Sequence, residues 1–284
     1  MDKILVLGKD GQLGKALRSI SKQGNWKFIG KDGLNLLETE TILGKLERED
    51  FDILINCAAY TAVDKAEDEP EIARRINGAA LAPIAEVCRI KNALLIHIST
   101  DYVFGDVLPV PLREDMATDP QSVYGKTKLS GEEAVRSILD KHIILRTSWL
   151  YGSEGHNFLN TMLKLGSTRD DLKIVYDQVG APTFVEHLAG AIVDIIKLNA
   201  SQYGTFHYSN EGVCSWFDFA HAIFELTGIE VAIEPINSDK YLVKAKRPNY
   251  SVLDKQKIKD TFGIHIPYWR NGLKACLHKM NKLK

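Results

Sequence analysis

The 284 residues include only four cysteines, Cys57, Cys88, Cys214 and Cys276, with no C-x-x-C pair and no Cys/His cluster at zinc spacing. A disulfide framework and a structural zinc site are thereby excluded, and the four thiols are expected to be small core residues in a reducing compartment. Long apolar runs are also lacking, since none approaches the eighteen residues a membrane helix needs. The chain opens directly into "KILVLG" with no charged-then-apolar leader pattern, so a cytoplasmic protein is expected. Charge of either sign is not in excess: 36 Lys and Arg stand against 37 Asp and Glu, a formal net charge of −1. Such a balance supplies no field for nucleic acid or anionic membrane, and neither is expected as a partner. The lysine-rich end, "KACLHKMNKLK", is too short to change that and is read as the solvated face of a last helix. Repeats, low-complexity segments and flexible linkers are absent as well.

What is present is an alternation of short apolar runs with longer stretches of helical period. "KILVLG", "WKFIG", "FDILINCAA", "NALLIHIS" and "HIILRTS" predict five buried strands, continuous in apolar residues as parallel strands must be. Between them, 11–23, 40–50, 69–92 and 123–140 predict helices. This order predicts an α/β protein with a Rossmann-like, doubly wound parallel sheet in residues 1–150. Residues 151–284 are less regular. Helix-like 184–199 and 215–228 alternate there with strand candidates "LKIVY", "GTFHYS" and "EVAIEPI". This half is expected to be a smaller, irregular substrate-binding region, interleaved with the first and closing over its strand ends.

The first predicted strand runs into "GKDGQLG", with glycines at 8, 11 and 14 opening the first helix. Gly8 suits a tight turn, Gly11 a close backbone approach to a pyrophosphate, and Gly14 close helix-to-strand packing, with the helix N-terminus attracting phosphate. After the second strand comes "GKDGLN", where an adenosine ribose would be read. Asp32 favours the 2′-hydroxyl of NAD and Lys31 the 2′-phosphate of NADP, and the residues alone leave both open.

"STDYVFG" (99–105) lines two hydroxyls and a carboxylate at the end of a buried strand, where ligands of open α/β sheets bind. Some twenty residues later, "SVYGKTKLSGEEA" places Tyr124 and Lys128 four apart on one helix face. A neighbouring ammonium is expected to lower the pKa of the phenol toward the working range. Thr100 can then polarise the carbonyl that Tyr124 protonates.

In these motifs the chain resembles the extended short-chain dehydrogenase/reductases and, within them, the dTDP-4-dehydrorhamnose reductase family. The resemblance covers nearly the whole chain, through "INCAAYTAVDKAE", "STDYVFG", "VYGKTKLSGE", "LRTSWLYG", "DQVGAPTFVEHLA", "FHYSNEGVCSWFDFA" and "RPNYSVLD". It implies reduction of the 4-keto group of dTDP-6-deoxy-L-lyxo-4-hexulose to dTDP-L-rhamnose with NADPH, NADH being possible. The implied catalytic set is Thr100, Tyr124 and Lys128, with Tyr124 as proton donor and Lys128 also on the nicotinamide ribose. Gly11, Gln12 and Leu13 would hold the pyrophosphate, and Ala59, Tyr60 and Thr61 would line the cofactor cleft. Asn35 and Leu36 fall near the adenine. Asp101, Trp149 and Arg247 match substrate-contacting positions, the arginine suited to a diphosphate.

Two departures from the family pattern qualify this. Gly30 and Lys31 replace an acid and an arginine, which favours NADPH. Ala16 replaces a glutamate that helps some members bind a metal at a dimer contact, so no metal is expected and the oligomeric state stays open. Alternatives are another nucleotide-sugar reductase, dehydratase or epimerase on the same fold, and a non-catalytic NADP-binding regulatory subunit. A 4,6-dehydratase wants an Asp-Glu pair after the threonine, whereas Asp101 is followed by Tyr102.

Overall fold

The computed structural model describes residues 2–21, 25–105, 109–198 and 201–284. The first half builds β1 (Lys3–Leu7), α1 (Gln12–Ile20), β2 (Asn25–Ile29), α2 (Thr39–Glu47) and β3 (Ile53–Asn56). It continues through α3 (Val63–Asp68), α4 (Pro70–Arg74), α5 (Leu81–Lys91), β4 (Leu94–Thr100), α6 (Val123–Ile138) and β5 (His142–Thr147). The second half adds β6 (Leu150–Tyr151), α7 (Phe158–Gly166), β7 (Asp171–Val175), β8 (Val179–Gly180), β9 (Thr183–Phe184) and α8 (Val185–Lys197). It ends with β10 (Gly204–His207), β11 (Cys214–Ser215), α9 (Trp216–Thr227), β12 (Ala232–Ile236), α10 (Gln256–Phe262) and α11 (Trp269–Lys279).

Six of the strands form one sheet in the order β10-β5-β4-β3-β1-β2, every pair parallel. Chain order reverses between β1 and β3, which makes that gap the topological switch point, the place where open α/β sheets bind ligands. The sixth strand, β10, comes from beyond residue 150.

Alternation of side chains explains why the strands read as unbroken apolar runs. Ile4 and Val6 enter one core, with Leu13, Leu17, Leu188 and Ile192, while Leu5 and Leu7 enter another, with Ile42, Leu46, Ile84 and Val135. The same split separates Ile53 and Ile55 from Leu54, and Ile143 and Leu145 from Ile144. A strand covered by helices on both faces has no solvent side to leave polar.

Several elements differ from expectation. β2, expected to be buried, is the edge strand of the sheet and is only partly covered, with Asn25 and Lys27 exposed. The predicted helix 69–92 is three consecutive helical pieces, with a π-helical turn at Arg75–Ala79 between α4 and α5. The short helices α3 and α7 are not among the expected elements; α3 is six residues with only Ala66 buried, whereas α7 carries Leu159, Met162, Leu163 and Gly166 buried at helical spacing. In α11, Cys276 and Leu277 are fully buried, so the C-terminal helix is amphipathic and contributes to the core instead of only presenting a solvated face. The predicted ends at 22–23 and 199 lie outside the described residues. Ala16 is buried where α1 packs on α8, which gives its small size a packing reason. Among the described residues, no helix is long and apolar enough to cross a membrane.

Candidate active site

At the switch point the C-terminal ends of β1, β2 and β3 open on a cleft of about 240 Å³. Its lining includes Gly8, Gly11, Gly30, Lys31, Asn35 and Ala59. Gly8 and Gly14 behave as their spacing predicts. Gly8 has φ +89°, and a Cβ there would sit 2.7 Å from the Ala58 amide. A Cβ on Gly14 would lie 2.2 Å from the Gly8 carbonyl oxygen, so this residue lets α1 approach the strand. At Gly11 the nearest atom would be 3.5 Å away. Gly11 is also the N-cap of α1, with no side chain capping it, which leaves the first-turn N–H groups able to meet an anion. This cradle fits a dinucleotide pyrophosphate.

Leu13 is buried in the core and Gln12 accepts from Asn157 Nδ2 at 2.9 Å, so both side chains are engaged within the protein. Lys31 is exposed at the cleft and has no carboxylate partner among the described residues, whereas Asp32 is ion-paired with Lys9 at 2.7 Å. That pairing leaves Lys31, and not Asp32, as the unengaged charge. Asn35 closes a turn, accepting from the Leu37 amide at 3.2 Å and donating to Glu38 at 3.1 Å, with Leu36 buried beside it on the cleft wall.

The loop after β3 is held from the π-helical turn. Asn77 accepts from the Tyr60 amide at 2.8 Å, donates to the Tyr60 carbonyl at 3.0 Å and reaches Thr127 of α6 at 3.3 Å. It thus ties the cleft wall to the helix that carries Tyr124 and Lys128. π-Bulges concentrate at functional sites, and only the broken helical hydrogen-bond pattern reveals one, so no sequence signal singled out Asn77. Tyr60 donates its hydroxyl to Glu69 at 2.7 Å, while Thr61 is exposed. Cys57, expected in the core, lines the cleft because β3 ends at Asn56. Burial pushes its thiol up to about 12, although Lys128 draws it down.

Thr100, at the end of β4, and Tyr124, at the start of α6, share the sheet rim. The Thr100 hydroxyl donates to Asp101 Oδ1 at 2.9 Å and accepts from the Tyr102 amide at 3.2 Å. Tyr124 meets Tyr102 edge-on, ring centres 5.5 Å apart. Burial pushes the Tyr124 phenol up to about 12, and the hydroxyl of Thr100 only partly offsets this. The expected lowering by Lys128 is therefore not what the fold produces. The Lys128 amine instead donates to the Ile98 carbonyl at 2.6 Å and lies 3.3 Å from His97 Nε2. Burial lowers it to about 8, with Glu132 and Cys57 opposing. Asp101 is fully enclosed, and burial raises its carboxyl to about 6 against the hydroxyls of Ser251 and Thr100.

Trp149 adopts φ +49°, unusual for a bulky residue. Its indole stacks on Trp216, ring centres 3.4 Å apart and planes within 7°, and a Cβ on Gly180 would press to 2.7 Å of it. One face of the indole is therefore already occupied. Arg247 is bound to Asp64 of α3, at 2.6 Å and 3.2 Å, which also secures the loop 244–247. Asp64 belongs to "AAYTAVDKAE", and its tie to a residue 183 positions away has no local signal.

The reversed strand order, the glycine cradle and a threonine, tyrosine and lysine on one rim together define a Rossmann fold of the extended short-chain dehydrogenase/reductase type. Within that class the chain belongs to the family described as the RmlD substrate binding domain, whose profile matches residues 1–282. It is 42% identical over 282 residues to the spore coat polysaccharide biosynthesis protein SpsK of Bacillus subtilis, covering 98% of each chain. The crystal structure of a dTDP-4-dehydrorhamnose reductase from Clostridium acetobutylicum superposes with a TM-score of 0.94 at 40% identity, covering 98% of this chain and 99% of that one. A dTDP-4-dehydrorhamnose reductase from Bacillus anthracis in complex with NADP matches at TM-score 0.94 and 35% identity, over 98% and 99% of the two chains.

Proposed function

We propose that this chain reduces the 4-keto group of dTDP-6-deoxy-L-lyxo-4-hexulose to give dTDP-L-rhamnose, with NADPH as the preferred cofactor and NADH as a usable one. The observation that carries this reading is the convergence of Thr100, Tyr124 and Lys128 on the rim beside the glycine-lined cleft, in a chain with full-length relatives bearing that enzyme's name. Bound NADPH supplies the hydride that reaches C4 of the sugar.

The chain's own residues do the rest. Gly8, Gly11 and Gly14, with the backbone of Gln12 and Leu13, hold the pyrophosphate. Lys31 pairs with the 2′-phosphate, Asn35 and Leu36 border the adenine, and Ala59 lines the wall opposite, with Tyr60 and Thr61, which do not line the cleft itself, following it in the loop. The Thr100 hydroxyl, turned from Asp101 once substrate is bound, donates toward the ketone oxygen, and Tyr124 delivers the proton that the new alkoxide needs. A phenol held near 12 is fully protonated at neutral pH, which suits a donor in the reducing direction. Lys128 binds the nicotinamide ribose and returns a proton to the Tyr124 oxygen after each turnover. Asp101, Trp149 and Arg247 border the nucleotide-sugar, with Arg247 oriented by Asp64 toward the diphosphate.

The test is loss of reduced-nicotinamide absorbance when purified protein meets the 4-keto sugar nucleotide, with the product identified as dTDP-L-rhamnose. Tyr124→Phe is expected to lower kcat by roughly 10² or more while leaving NADPH affinity nearly unchanged. Near-normal turnover in that variant would remove Tyr124 from the mechanism, and no turnover in the wild type would remove the function.

A further inference from the structure

Behind the rim lies a buried polar chain that the reaction as written does not use. Asn56, the last residue of β3, and His97, in β4, are both completely enclosed and face each other in register across the sheet. Asn56 Oδ1 accepts from the Ala58 amide at 3.1 Å. That N–H has only one way to bond, so it fixes the Asn56 amide, and Nδ2 must point at His97 Nδ1, 3.2 Å away. His97 Nδ1 is then an acceptor. The neutral ring therefore carries its proton on Nε2, which lies 3.3 Å from the Lys128 amine.

An N–H facing an ammonium is a contact between two donors, whereas an N–H facing a neutral amine is a hydrogen bond. The neutral amine can accept from His97 and still donate to the Ile98 carbonyl. To greet an ammonium with a lone pair, His97 must move its proton to Nδ1, which then confronts Asn56 Nδ2. The amide relieves that conflict only by turning over, at the expense of its bond from Ala58. We propose that Asn56 and His97 are positioning residues that present an N–H to the Lys128 amine, and so ready it to release and regain a proton during turnover.

The other titratable groups acting on Lys128 are Glu132 on its own helix and Cys57 beyond β3, while Tyr124 lies one turn back along α6. Glu132 and Cys57 favour the ammonium, so the histidine contact works against them. His97 itself is held well below the usual imidazole range by burial and by Lys128, which keeps the ring neutral. Because Ala58 lines the cleft, the chain runs from the cofactor wall to the amine.

The proposal rests on the reductase reading for its purpose but not for its test. In protein labelled with ¹⁵N at histidine, the His97 signals are assigned by their loss in His97→Gln. At neutral pH they are expected to show a pyrrole-type Nε2 and a pyridine-type Nδ1. The reverse tautomer, or an imidazolium, overturns the proposal without any assay of activity. Asn56→Asp is nearly isosteric and keeps an acceptor for Ala58, but its carboxylate demands a proton on Nδ1. It is expected to reverse the tautomer and to move the alkaline limb of kcat upward by about one pH unit or more, since Nε2 then welcomes the ammonium. A reversed tautomer with an unmoved limb, or an unreversed tautomer, would overturn the proposal. Absence of turnover in the wild type would instead count against the reductase reading.

Discussion

Glu132 sits one turn beyond Lys128 with no exposure at all, and its two oxygens take every strong contact available. Arg146 donates to Oε1 at 2.9 Å and to Oε2 at 2.7 Å, Ser99 donates to Oε1 at 2.6 Å, and Arg136 reaches Oε2 at 3.0 Å. Arg146 is itself only 2% exposed and lies over the Phe104 ring. Glu132→Gln keeps the shape and removes the charge, so Arg146 is left buried without its counter-ion. Breaking a buried pair this way costs about 3–5 kcal/mol. For a chain of this size each kcal/mol moves Tm by roughly 2–4 °C, so a fall of roughly 6–20 °C is expected by calorimetry or circular dichroism. The pH dependence checks the cause. Burial opposes ionisation of Glu132, but Arg146, Ser99 and Arg136 together hold its carboxyl below the ordinary 4.5. Its contribution is therefore present above the unfolded-state value and lost as pH falls through the folded-state one. The gap between wild type and Glu132→Gln must narrow on acidification below about pH 4. A variant within about 1 kcal/mol of wild type at pH 7 would refute the reasoning, as it would place the pair in the class of exposed bridges. The double variant Glu132→Leu/Arg146→Met should lose less than the sum of its parts.

The other expectations concern the cleft and the rim. Lys31→Ala should weaken NADPH by about 1–2 kcal/mol in equilibrium titration and leave NADH almost untouched; equal losses would mean that the lysine only supports its loop. Gly14→Ala places a methyl 2.2 Å from the Gly8 carbonyl oxygen, so it should destabilise by about 1–3 kcal/mol in urea unfolding and weaken both cofactors together. Asp101 has its folded-state pKa raised to about 6, so its neutral form favours the fold below about pH 4, and that advantage is lost as pH rises through 6. Asp101→Asn should therefore raise Tm relative to wild type at pH 7.5 and not at pH 4, and a constant difference across that range would contradict the assignment.

The sheet was legible because its physics is local. A strand covered on both faces is apolar at nearly every position, and a glycine beside a carbonyl oxygen is costly to replace, so "KILVLG" followed by "GKDGQLG" declares both a strand and a cradle. The i, i+4 spacing of Tyr124 and Lys128 likewise follows from helix geometry alone. What each of those groups does electrically was not legible. Burial raises the Tyr124 phenol and lowers the Lys128 amine, and desolvation depends on everything packed around a group, including Cys57 and His97 from other strands. Spacing along one helix carries none of that.

Amino-acid order by itself determined the alternation of strands and helices, the glycine-lined turn after β1 and the residues at the strand ends. Only the tertiary structure decided that Lys9 takes Asp32 out of contention and leaves Lys31 exposed at the cleft, that Asp64 claims Arg247, and that Trp216 covers one face of Trp149. The Asp64–Arg247 and Trp149–Trp216 contacts join residues far apart in sequence, and even Lys9 and Asp32 meet only because β1 and β2 lie side by side. Charge pairing and ring stacking act over a few ångströms of space, and folding alone fixes which distant groups come that close.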